Sequence, residues 1–139
     1  MSEKSLALVK SQSVRRTIRI FFVDDSSVFI GVASRFLSLR PEYKVVGHAS
    51  SGACAIDQIR ELKPDLVIMD LVMPGMSGFE ATRILKSNAL SPRVLVTSFS
   101  DNPEYKSSAE ETGADGFLSK LDFGSNAIPL IEELFDYAD

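Results

Sequence analysis

The sequence has one cysteine, Cys54, and one histidine, His48. A single cysteine excludes an internal disulfide and suits a reducing compartment. No histidine base is placed near Cys54, so it reads as a small helix residue rather than a nucleophile. His48, near the end of an edge strand, reads as a solvated side chain rather than a ligand or phosphocarrier. Long apolar runs are missing too. The longest near the N-terminus is Leu6-Ala7-Leu8-Val9, too short for the core of a signal peptide, and no segment approaches membrane-spanning length. The basic residues do not form a strong cluster. With 15 basic and 19 acidic side chains the net charge is −4, and Lys10, Arg15 and Arg16 are too few for a nucleic-acid footprint. The expectation is a cytoplasmic protein that binds neither membrane nor nucleic acid directly.

What is present is an ordinary globular balance, with 45% hydrophobic and 24% charged residues over 139 positions, enough for one domain with a real core. Residues 1–16 are polar and serine-rich without periodicity and read as a flexible arm. From residue 17 to 139 short β-rich runs alternate with helical patterns. Strands are expected at Arg19–Val23, Lys44–Ala49, Leu66–Met69, Val94–Thr97 and Gly116–Ser119.

The first helix is capped by Ser26 or Ser27 and turns Phe29, Val32, Ala33, Phe36 and Leu37 inward. The second follows Ser50-Ser51, buries Ala55, Ile56, Ile59 and Leu62, and stops at Pro64. A capping box, Ser77 with Glu80, opens the third, which presents Phe79, Ile84 and Leu85. The fourth has Asp101 or Asn102 as cap and Pro103 at its first position, with Gly113 as terminator. Its apolar face is thin, little beyond Tyr105 and Ala109. The fifth is expected to start at Pro129 and to bury Leu130, Ile131, Leu134 and Phe135. Five strands interleaved with five helices predict an α/β domain, a doubly wound parallel sheet covered on both faces.

Charge sits at the strand ends. Asp70 ends the apolar run Leu66-Val67-Ile68-Met69 just before Met73-Pro74-Gly75, and Asp24-Asp25 end another such run. Lys120 ends a third. Alone, Asp70 is as good a turn-starting carboxylate as a functional one. Together, these groups lie where an open α/β sheet places its ligands. Clustered carboxylates repel unless a cation joins them, and a lysine supplies a point charge for phosphate. The pattern points to a cation-assisted phosphate site.

The ordered marks Phe22-Val23-Asp24-Asp25-Ser26, Val45-Val46-Gly47, Asp65 to Asp70, Met73-Pro74-Gly75-Met76-Ser77-Gly78 and Gly113 to Lys120 resemble the receiver domain of bacterial two-component response regulators. The match runs from about Ile18 to Tyr137 and is nearest to receivers that precede a helix-turn-helix output module. The resemblance implies a flavodoxin-like (βα)5 fold with strand order 2-1-3-4-5. It implies a magnesium-dependent phosphoacceptor that catalyses only its own phosphorylation and dephosphorylation. Asp70 would take the phosphoryl group from a phosphohistidine of a sensor histidine kinase or phosphotransfer protein.

By the same resemblance Asp25, Asp70 and the Val72 carbonyl ligate Mg2+, with Asp24 acting mainly through water. Lys120 contacts the phosphoryl oxygens. Ser98, with Thr97 as the lesser candidate, is the switch hydroxyl, and Phe117 matches the aromatic switch position. The output is a change in the surface of the fourth helix, fifth strand and fifth helix, read by a downstream protein, with a phosphorylation-dependent homodimer left open. The chain reads either as a stand-alone receiver or as one cut from a transcriptional regulator.

Three departures stand out. Leu121 replaces a common proline. Phe99 is bulkier than the usual small residue and narrows access to the site. Val72 and Ser100 occupy positions that influence water attack, and apolar Val72 predicts slow self-dephosphorylation. The rival readings are a flavodoxin-like or dehalogenase-type phosphatase with an aspartyl-phosphate intermediate, and a flavin carrier. The phosphatase requires an aspartate where Val72 stands. The flavin carrier needs a hydroxyl-rich loop that does not follow the first strand.

Overall fold

The computed structural model describes residues 16–100 and 102–135. The expected arm, residues 1–16, lies outside them but for Arg16. Apolar runs form β1 (Ile18–Val23), β2 (Tyr43–Ala49), β3 (Leu66–Asp70), β4 (Arg93–Ser98) and β5 (Gly116–Ser119). They pair in parallel in the order β2-β1-β3-β4-β5, the flavodoxin-like arrangement. Helices α1 (Ser27–Ser38), α2 (Gly52–Leu62), α3 (Gly78–Lys86), α4 (Pro103–Glu111) and α5 (Phe123–Phe135) follow the strands in turn. A short 3-10 turn, Lys120–Asp122, joins β5 to α5.

Side chains alternate across each strand, so the sheet has two cores. Phe21, Val23, Val67, Met69, Val94 and Val96 pack toward α2, α3 and α4. Ile20, Phe22, Leu66, Ile68, Leu95 and Leu118 pack toward α1 and α5. The middle strand β3 is buried along its whole length, which is why its sequence is an unbroken apolar run. Between Ile20 and Phe21 the β1–β2 register slips by one residue. Gly47 faces Phe21 there, and any β-carbon would lie 3.0 Å from the ring.

Caps follow the residue types. Ser26, Ser51, Ser77 and Asn102 side chains each accept a first-turn N–H, satisfying donors that the helix leaves open. Lys63 closes α2 in the left-handed region at φ 50°.

Two expectations need correction. The fifth helix starts at Phe123, six residues before Pro129, which sits exposed within it. A proline removes one N–H and frees the carbonyl four residues back. Here that carbonyl belongs to Ser125, also on the solvent side, where water can take it. On α1, Val32 is 56% exposed and Ile30 is buried instead. Phe29, Ala33, Phe36 and Leu37 face the core as expected, and the sequence pattern, apolar on nearly all sides, did not separate Val32 from Ile30. Helix α4 buries only Ala109, as its composition led one to expect. No helix among the described residues is long and apolar enough to cross a membrane.

Candidate functional site

The parallel strands carry their C-terminal residues to one edge, and β1, β3 and β5 deliver Asp24, Asp70 and Lys120 there. Asp24 follows β1 and is fixed by two bonds: its N–H donates to the Ala49 carbonyl at 3.0 Å, and its Oδ1 accepts from Ser26 N–H at 2.8 Å. Asp70 closes β3, and its Oδ1 accepts from the Val72 N–H at 3.2 Å. The neighbouring Leu71 N–H donates to the Thr97 carbonyl at 3.0 Å, so the strand pairing continues past the carboxylate.

Asp24, Asp25 and Asp70 can each offer one carboxylate oxygen, all within 4.8 Å of one another. Asp24 and Asp70 are buried and Asp25 is exposed. Lys120 Nζ lies 2.7 Å from Asp24 Oδ2 and 3.4 Å from Asp70 Oδ2, with its side chain only 3% exposed. Despite the short distance, Asp24 Oδ2 is buried without an aligned hydrogen bond. The lysine is thus an ion-pair partner of this oxygen and neutralises one of the two buried carboxylates. Burial, and next the Asp24 charge, push the Asp70 carboxyl up from 3.8 to about 6, with Lys120 and the Val72 N–H pulling the other way.

A hard-oxygen donor set of three carboxylates facing a single lysine keeps a surplus of negative charge, which fits a small divalent cation. A groove of about 690 Å3 lies at the other end of the sheet, lined among others by Lys63, Asp65, Lys86 and Arg93, and none of the clustered carboxylates reaches it.

The family model for the response regulator receiver domain matches residues 20–128. The chain belongs to the response regulator receiver family. It is 39% identical over 101 residues to the nitrate/nitrite response regulator protein NarL of Escherichia coli K12, covering 73% of this chain and 47% of that protein. It is 43% identical over 107 residues to the response regulator protein VraR of Staphylococcus aureus NCTC 8325, covering 75% and 50%. The chain spans about half the length of these curated relatives.

Among solved structures, the receiver domain of the putative response regulator NarL from Mycobacterium tuberculosis superposes with a TM-score of 0.76 at 34% identity, covering 88% of this chain and 97% of that one. A LuxR-family two-component response regulator from Aurantimonas sp. SI85-9A1 gives 0.81 at 32% identity, covering 86% of each.

Within this receiver the remaining candidates separate. Thr97 is fully buried, and its hydroxyl donates to the Met69 carbonyl at 3.4 Å, inside the sheet. The Ser98 hydroxyl accepts from the Ser100 N–H at 3.0 Å, an arrangement that leaves its own proton available. Phe117 is half-buried against the α4-side core, beside a cavity of about 130 Å3 bounded by α4 and β5. Val72 is 59% exposed. Leu121 donates its N–H to Ser119 Oγ at 3.2 Å, a bond that proline would forbid. His48 and Cys54 are exposed and stand apart from the acidic cluster.

Sequence reasoning missed two participants. Phe29, expected only as a packing residue, has its ring 4.6 Å from Lys120 Nζ. Gly78 lies against the main chain of Asp70 and Leu71. The first carried no signal. The second stood in the quoted Met73–Gly78 mark, but as a helix start rather than as a close approach.

Proposed function

We propose that this receiver accepts a phosphoryl group on Asp70 from the phosphohistidine of a sensor kinase or phosphotransfer protein, and passes the signal on as a change of protein-binding surface. The observation that carries this reading is the meeting of Asp24, Asp25 and Asp70 with Lys120 at one sheet edge. An Asp70 oxygen attacks phosphorus, the phosphorus–nitrogen bond of the donor breaks, and the imidazole leaves with its electron pair. In the metal-free site the Asp70 carboxyl is pushed up to about 6 and is still mostly ionised at neutral pH, as a nucleophile requires.

Mg2+ is the fitting cation: Asp25, Asp70 and the Val72 carbonyl would hold it, Asp24 would act through water, and it would supply positive charge to the transferring group. Lys120 would stabilise the phosphoryl oxygens as a point charge, a role its closeness to Asp70 supports. Ser98 is the switch hydroxyl in this reading, since Thr97 is committed to the Met69 carbonyl. Its movement would draw on α4, which buries a single alanine. The cavity beside Phe117 gives that ring room to turn inward. The surface of α4, β5 and α5 would then meet a downstream protein. Val72, exposed and apolar where an aspartyl-phosphate phosphatase requires an acid, disfavours that alternative.

The test is incubation with a small acyl phosphate and magnesium, followed by intact mass. One added phosphoryl group that is absent in Asp70→Asn is the expected result. An unchanged mass in the parent chain, or an equal gain in Asp70→Asn, overturns the assignment.

A further inference from the structure

Lys120 is charged, sits at the surface edge of a sheet and yet is almost wholly hidden. Two carboxylates account for one side of its ammonium. The rest is covered by aromatic faces: Phe29 at 4.6 Å and Phe99 at 5.0 Å from Nζ to ring centroid. Both distances are within cation–π range, and such contacts strengthen when the cation is desolvated.

The rings differ in how they are held. Phe29 meets Phe123 edge to face at 5.3 Å and 85°, so it is a fixed wall anchored at the start of α5. Phe99 is 61% exposed and rides on the Ser98–Ser100 turn closed by the Ser100 N–H. It forms the outer wall.

We infer that Phe29 and Phe99 are positioning residues that clamp the Lys120 ammonium beside Asp70 and keep water from the phosphorylated carboxylate. This rests on the proposed phosphoacceptor role and extends it to the lifetime of the modified state. Hydrolysis forms a bond from water oxygen to phosphorus and breaks the bond from phosphorus to the Asp70 oxygen. It releases inorganic phosphate and the free carboxylate, with the water proton passing to solvent. A dry, fixed ammonium holds the phosphoryl oxygens in place, and the Phe99 ring occupies a path by which water would approach. Removing the outer ring opens that path and lets the ammonium swing into solvent, where its field is screened.

The experiment loads the full chain with acetyl phosphate and Mg2+, removes the donor and follows phosphoryl loss by intact mass. Phe99→Ala and Phe99→Leu should lose the group roughly tenfold faster than the parent, while Phe99→Trp should retain a parental lifetime or longer. Thermal unfolding should barely move, because the ring is mostly in solvent. A readout on the unmodified protein runs alongside: the Lys120 side-chain NMR signals, shifted by ring currents in the parent and in Phe99→Trp, should return toward free-lysine positions in Phe99→Leu and in Phe29→Leu.

Equal lifetimes in the parent and Phe99→Ala overturn the clamp, as does a Phe99→Leu lifetime matching that of Phe99→Trp, since bulk alone would then suffice. Unshifted Lys120 signals in the parent also overturn it. A parent chain that gains no phosphoryl group removes the phosphoacceptor reading, and the NMR arm then still decides whether the rings hold the lysine.

Discussion

Gly78 packs directly on the main chain of Asp70: a β-carbon at this position would overlap the Asp70 carbonyl oxygen and lie 2.7 Å from Leu71 Cα. The Gly78 N–H also donates to the Leu71 carbonyl at 3.1 Å. The start of α3 is thereby pressed onto the segment that aims the Asp70 carboxylate. Gly78→Ala should force these backbones apart, lowering stability by about 2 kcal/mol or more and weakening divalent-cation binding. Urea denaturation and calorimetric Mg2+ titration check both; a parental midpoint would show that the contact relaxes freely.

The raised Asp70 carboxyl predicts a pH signature in chelator. Its folded value of about 6 stands above the ordinary 3.8, so the folded state binds more protons between those values. Stability must therefore fall as pH rises from about 4 to about 6. Asp70→Asn removes this cost and should be more stable than the parent above pH 6, by at most about 3 kcal/mol, with the difference shrinking toward pH 4. A difference in midpoints that does not vary with pH would contradict the assignment.

Lys120 holds two buried carboxylates together. Lys120→Gln leaves Asp24 and Asp70 facing each other without their cation, and loss of one partner from a buried pair typically costs about 3–5 kcal/mol. Metal-free stability should drop on that order, while Mg2+ affinity rises because the competing ammonium is gone. Denaturation with and without Mg2+ should show the variant regaining more from the ion than the parent does. Equal metal stabilisation of both proteins would rule this out.

Helix α4 should be the most readily opened of the five. Only Ala109 is buried, and its main ring contact is Tyr105 with Phe79 at 6.1 Å. Amide exchange over 103–112 should be faster than in α1, α2 or α3, and it should change when Asp70 is phosphorylated. Exchange as slow as in α2, or identical in both states, would remove α4 as the moving part.

Most of the fold was legible because parallel strands buried on both faces leave a distinctive mark. Leu66 to Met69 and Phe21 to Val23 are apolar at every position, and carboxylates end both runs. The acidic cluster could be read because topology brings strand ends together whatever the side chains do. Two helix details were not legible. Pro129 looks like a helix start, yet it sits in mid-helix because its missing hydrogen bond falls on the solvent side. On α1 only Val32 was misplaced, because Val28, Val32 and Leu39 are apolar and exposed, which blurs the period. Phe29 reaches Lys120 from a different element, a contact made by three-dimensional packing that spacing along the chain does not encode.

The register slip between β1 and β2 has a mechanical consequence. It lies wholly on the edge-strand side, while Ile20 to Val23 run against Leu66 to Met69 without interruption. The two acid-bearing strands thus form one stiff beam, and the misfit is taken up at the periphery. Sequence drift in the outer strand can be absorbed there without moving the aspartates relative to each other.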